Sequence, residues 1–123
     1  MTVAHVAVNV SDFEAAKAFY LGALGTLGYR VVYEEPGTLA YLADENGLDF
    51  GIGHREPVGG AHVAFHCADH GAVDRFYEAA LAAGGRDNGP PGPRPQYAAD
   101  YYAAFVLDPD GNNIEGVHHG PAA

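Results

Sequence analysis

Cysteine, methionine and tryptophan are almost missing from this 123-residue chain, which has one Cys, one Met and no Trp. With Cys67 alone, no disulfide can form within the chain, and a reducing, cytoplasmic setting is expected. Basic residues are also scarce: six Lys and Arg stand against 16 Asp and Glu, a formal charge of −10. Nucleic-acid binding needs a basic footprint, and docking on anionic membranes needs juxtaposed Lys and Arg, so neither partner is expected. No apolar run reaches the length of a membrane span. Residues 1–10 lack the basic stretch and long apolar segment of a secretory signal. The Gly- and Pro-rich stretch 84–92 is not followed by Lys-Ser or Lys-Thr, which excludes a phosphate-binding loop. What remains is 48% hydrophobic and only 18% charged, the balance of a chain that builds a core.

The chain repeats itself. Residues 5–20 read HVAVNVSDFEAAKAFY and residues 62–77 read HVAFHCADHGAVDRFY, with seven identities in sixteen positions. His5/His62, Asp12/Asp69, Phe19/Phe76 and Tyr20/Tyr77 are among them, each pair 57 residues apart. Val6, Val8 and Val10 alternate with His5, Ala7 and Asn9, the period of a strand. Val63, Phe65 and Cys67 alternate with His62, Ala64 and His66 in the same way. A helix follows each strand. Ser11 and Glu14 are spaced as a capping box, and Asp69 is the expected cap of the second helix. Ala16, Phe19, Tyr20, Ala23 and Leu24 form one helical stripe; Val73, Phe76, Tyr77, Ala80 and Leu81 form the other.

Strand-like runs at 29–33, 38–42 and 48–52 follow the first helix, with turns at 34–37 and 44–47. In the second half the Gly/Pro-rich stretch 87–95 replaces a simple turn. Runs at 101–107 and 113–117 follow, joined by Asp108-Pro109-Asp110-Gly111, a hairpin signal like Asn46-Gly47. The fold class expected is therefore α+β: two tandem βαβββ modules, residues 1–56 and 61–119, within one domain spanning 1–123. Each half, at about 55–60 residues, is near the lower limit for folding alone. Together they are expected to form a cup of curved sheets, lined by the strand faces that do not pack on the helices.

His5 and His62 begin matching strands on those faces. Glu115 stands in the mostly uncharged run 112–117, and a carboxylate on a half-buried strand is costly unless it is paired, hydrogen-bonded or metal-bound. Two imidazoles and one carboxylate with open positions suit non-heme Fe(II), or Zn, Mn or Ni. The alternative is a metal-free pocket lining. Asn9, Asp49, His66, Tyr97 and Tyr101 are the candidate substrate contacts; His66, Tyr101 and Tyr102 are the candidate acid–base groups. Neighbours alternate on a strand, so one of Tyr101 and Tyr102 points inward and the other packs elsewhere. Cys67 falls on the helix-packing face and reads as core.

HVAVNVSDFEAAKAFY, HVAFHC and the closing FVLDPDGNNIE together resemble the vicinal oxygen chelate superfamily of glyoxalases, bleomycin-resistance proteins and extradiol dioxygenases, over nearly the whole chain. The resemblance implies a small-molecule substrate and a divalent metal on His5, His62 and Glu115. It implies lyase, isomerase or ring-cleaving dioxygenase chemistry, or metal-free drug sequestration, often in a homodimer. The glyoxalase pattern has a fourth ligand. Aligning Asn46-Gly47 with Asp110-Gly111 places Gly51 there, which has no side chain to offer, and leaves Asp49 as the substitute. In relatives a histidine is expected shortly after the loop tyrosine, whereas Tyr97 is followed by Ala98-Ala99.

Overall fold

A computed structural model of the chain describes residues 4–47 and 49–120. Its elements run β1 (His5–Val10), α1 (Phe13–Gly25), β2 (Arg30–Glu35), β3 (Leu39–Ala43), β4 (Asp49–His54), then β5 (His62–His66), α2 (His70–Ala82), β6 (Arg86–Pro93), β7 (Tyr101–Leu107) and β8 (Asn113–His119). Each half is thus βαβββ, as its repeat predicts. The first residue of the expected run 48–52, Leu48, lies outside the described residues. The strands form two four-stranded sheets, ordered β1-β4-β3-β2 and β5-β8-β7-β6. In each, the first strand pairs in parallel with the last and the remaining pairs are antiparallel. The sheets are not closed on one another, and β1 and β5 are both free edges among the described residues.

The helices begin where an aspartate can satisfy the first free N–H groups. Asp12 accepts from the Ala15 N–H at 3.0 Å and Asp69 from the Ala72 N–H at 2.7 Å. The expected Ser11–Glu14 capping box is corrected: Asp12 is the cap. Ser11 is drawn instead to the turn of the second module, where its hydroxyl and N–H both donate to Asp110.

Alternation decides which face each sheet buries. Val8 and Val10 of β1, Phe50 and Ile52 of β4, Phe65 of β5, and Val106 and Ile114 of β7 and β8 join Phe19, Tyr20, Leu24 and Phe76 of the helices in one core shared by both modules. Phe50 meets Phe65 at 5.2 Å between ring centroids, edge to face, and Tyr29 meets Phe65 at 5.6 Å. The opposite faces carry His5 and Ala7 on one sheet and His62, Ala64 and His66 on the other, and these five residues are exposed. The halves are joined through 57–60, where Gly59 and Gly60 both take φ of +82°, a conformation open to glycine.

The stretch 87–95, read from sequence as a loop, is in part a strand. Arg86–Pro93 pairs with β7 through a ladder that shifts register between Asp87 and Gly89 and again between Gly89 and Gly92. It is an edge strand, the position where proline, lacking an N–H, is tolerated.

Candidate functional site

Glu115 is the focus of the site. On β8 it lies opposite Ala64 of β5 and Phe105 of β7, so it shares the non-core face with His62. It is only 2% exposed, yet it carries a carboxylate. Two groups meet it: the His62 imidazole Nε2 stands 2.8 Å from Oε1, and the Tyr101 hydroxyl donates to Oε2. Burial, reinforced by this hydrogen bond to Glu115, pushes the Tyr101 phenol up to about 12, so near neutrality it is a proton donor. The Tyr101 ring is itself held between Tyr97 and His119, at centroid distances of 5.2 and 5.5 Å.

The first module carries the matching half. His5 lies opposite Asp49, and Ala7 opposite Gly51, just as Ala64 lies opposite Glu115. Gly51 is therefore the register equivalent of Glu115. It is also buried under an aromatic ring: a Cβ there would come within 2.5 Å of Cε1 of Tyr41. The place a fourth donor would take is occupied by Tyr41. His5 packs edge-on against that ring at 5.8 Å, and His62 stands 6.4 Å from Phe105, which holds the same cross-strand position in the second module. Tyr41 and Phe105 escaped the sequence reading because the longer 87–95 segment breaks the 57-residue offset before β7. The register of the strands is the signal that relates them.

Among the described residues, no three His, Cys, Asp or Glu side chains converge in one chain. His62 and Glu115 are together. His5 is on the other sheet, on a face turned away from the common core. The pair supplies donor types that a small divalent cation takes, one imidazole nitrogen and one carboxylate oxygen, which here meet each other directly at 2.8 Å.

The other candidates divide. Tyr102 turns the opposite way from Tyr101, as alternation requires: its hydroxyl donates to Asp74 of α2 at 2.8 Å and its ring stacks on His70 at 3.9 Å. Asn9 spends its amide on the Pro57 carbonyl at 2.9 Å, tethering the inter-module join. Tyr97 is largely exposed and touches Tyr101. Asp49 and His66 are brought together on the wall of a cavity of about 580 Å³ between the modules, whose apolar lining includes Val6, Phe50, Val63 and Phe65. Cys67 is fully buried, and burial pushes its thiol up to about 11, which suits a core residue and no nucleophile.

No curated protein matches the sequence. Among solved structures, a glyoxalase/bleomycin resistance protein from Albidiferax ferrireducens T118 is 33% identical, with 95% of this chain and 98% of that one covered at a TM-score of 0.81. A lactoylglutathione lyase from Agrobacterium tumefaciens shares the fold at 21% identity, covering 95% and 92% with a TM-score of 0.73. So does a variant of the fosfomycin resistance protein FosX from Listeria monocytogenes, complexed with Mn(II) and 1S,2S-dihydroxypropylphosphonic acid, at 21% identity, 98% and 90% coverage and a TM-score of 0.74. The model of the Glyoxalase/Bleomycin resistance protein/Dioxygenase superfamily matches residues 2–115, and the chain belongs to that superfamily.

Proposed function

We propose that this protein is a metal-dependent enzyme acting on a small oxygen-bearing substrate, its metal held by His62 and Glu115 of one chain and His5 of a second copy in a homodimer. The observation that carries this reading is Glu115, a buried carboxylate held by one phenol and by one imidazole, a group that itself ligates metals. Burying a charge so sparsely is costly unless the charge is used. The dimer follows from the edges. β1 and β5 each pair on one side only and leave the other edge free among the described residues, and free edges are normally covered. Each edge strand begins with one of the two histidines. Pairing β1 of one chain with β5 of its partner across a two-fold axis would bring His5 to His62 and Glu115 twice over. The Mn(II) complex of the FosX relative is consistent with a divalent ion on this fold.

The ion would act as a Lewis acid that stabilises negative charge developing on a substrate oxygen, as in proton transfer beside a carbonyl or in ring cleavage. The chain supplies the rest. Glu115 and the two imidazoles fix the ion, and Tyr101 keeps the carboxylate in place. His66, exposed on the same face of β5 four residues beyond His62, is the candidate to take or return a proton from a substrate that extends along the strand. Tyr97 touches Tyr101, and Asp49 lies opposite His5 on the first module. A cytoplasmic location fits the single, buried thiol.

Metal titration of the parent with Fe(II), Zn(II), Mn(II) and Ni(II) tests the proposal. One ion per chain, lost in Glu115→Gln and in His62→Ala, supports it. No binding of any of the four overturns it. One observation favours a second reading in that event: the cavity between the modules is large and mostly apolar, the character of a site that sequesters an aromatic molecule without metal. Thermal stabilisation of the metal-free protein by such a ligand is its signature.

A further inference from the structure

We infer that Tyr101 is a positioning residue that restricts Glu115 to a single donor oxygen. The inference rests on the metal-centre reading above and adds what that reading leaves open, the mode in which the carboxylate binds.

A carboxylate has two oxygens and can grip a cation through one or both. Here the two are already assigned different tasks. Oε1 faces His62 Nε2 at 2.8 Å, the other donor atom. Oε2 receives the Tyr101 hydroxyl proton. Glu115 is 2% exposed, leaving water little access to exchange with the phenol. For Glu115 to close on an ion with both oxygens, it would have to give up that hydrogen bond and turn within a packed strand face, where Phe105 is its cross-strand neighbour.

The phenol, in turn, has little freedom to follow. Tyr97 packs against its ring edge to face, and His119 flanks the ring from the neighbouring strand. His119 is itself tied to Asp100 at 3.0 Å. The backbone is pinned as well, since the Tyr101 carbonyl accepts from the Arg94 N–H at 2.7 Å. The Tyr97-to-His119 arrangement thus holds one hydroxyl against one oxygen. The consequence for chemistry is a coordination position: a carboxylate bound through one oxygen leaves free the adjacent site that its second oxygen would fill. Groups that orient metal ligands in this way commonly change metal affinity about 10- to 100-fold when removed.

The test uses Co(II), whose visible absorption weakens as coordination number rises, bound to the full-length parent, Tyr101→Phe and Tyr102→Phe. The expected result is a weaker band per cobalt in Tyr101→Phe, as Oε2 joins the ion, with affinity shifted by about 10-fold or more. Tyr102→Phe loses a hydroxyl from the same strand that faces Asp74, and should match the parent. A Tyr101→Phe spectrum and affinity equal to the parent's overturn the inference while leaving the metal centre standing. A parent that binds no cobalt overturns both. Infrared difference spectra of the metal-loaded parent against its metal-free form, with labelled glutamate, need no variant. A wide separation of the two carboxylate stretches is expected for one-oxygen binding, and a narrow one contradicts it.

Discussion

Two side-chain carboxylates are buried almost completely among the described residues, and their surroundings differ. Asp108, 0% exposed, accepts four hydrogen bonds: from the Tyr20 hydroxyl at 2.5 Å, from the Asn112 side chain and N–H at 2.8 Å each, and from the Asp110 N–H at 2.9 Å. Every lone-pair site is used, and the bond from Tyr20 ties the first helix to the last turn of the second module. Glu115 has two side-chain partners, the Tyr101 hydroxyl and the His62 imidazole. Tyr20→Phe should therefore destabilise the fold by about 1–3 kcal/mol, measured by urea unfolding, because it removes one partner from a charge that stays buried. The same residues set an alkaline limit. Burial, then the Asp108 charge, raises the Tyr20 phenol well above its ordinary range, and burial with the Glu115 hydrogen bond raises Tyr101 to about 12. A phenol whose folded value lies above its unfolded value contributes stability in full below about pH 10 and loses it as pH rises toward the folded value. Melting temperature should therefore fall between pH 10 and 12 in the parent and fall less steeply in Tyr20→Phe. A profile unchanged by the substitution would contradict this assignment.

At the scale of elements, most of the architecture was legible because the repeat carries its pattern twice. The alternation of β1 and β5 and the helical stripes through Phe19 and Phe76 each had an independent copy. Two features escaped. The cap of α1 is Asp12, not Ser11, because Asp110, 99 residues away, takes the serine. The strand Arg86–Pro93 was hidden by its own composition: proline and glycine argue locally for a loop, and only the edge position in the sheet makes them admissible. Arg94 helps to hold that edge, donating to the Pro90 and Gly92 carbonyls at 2.7 and 2.9 Å. Just before it, Gly85 is needed for space. A Cβ there would come within 2.4 Å of Val106, 2.6 Å of Phe19 and 2.8 Å of the Ala80 carbonyl. Gly85→Ala should cost about 1–3 kcal/mol by overpacking a site bounded by backbone, read as a lowered denaturation midpoint with an unchanged slope.

For the whole molecule, His5, His62 and Glu115 were legible as candidates because they stand at repeat-equivalent or otherwise unexplained positions. Their spatial relation was not. Sequence equivalence states that two modules are alike; it does not state the operation that relates them, and here both modules turn their apolar faces to one shared core and their histidine faces away from it. In the reading proposed above, the three donors therefore come from two chains. The most direct measurement is metal binding after subunit exchange between His5→Ala and Glu115→Gln, each purified separately and each folded. If the site is built from module one of one chain and module two of its partner, neither variant alone holds the ion. Statistical mixing then creates heterodimers with one intact site, restoring about a quarter of the parent's metal per chain. A mixture that stays empty, beside a parent that binds, would contradict the shared site.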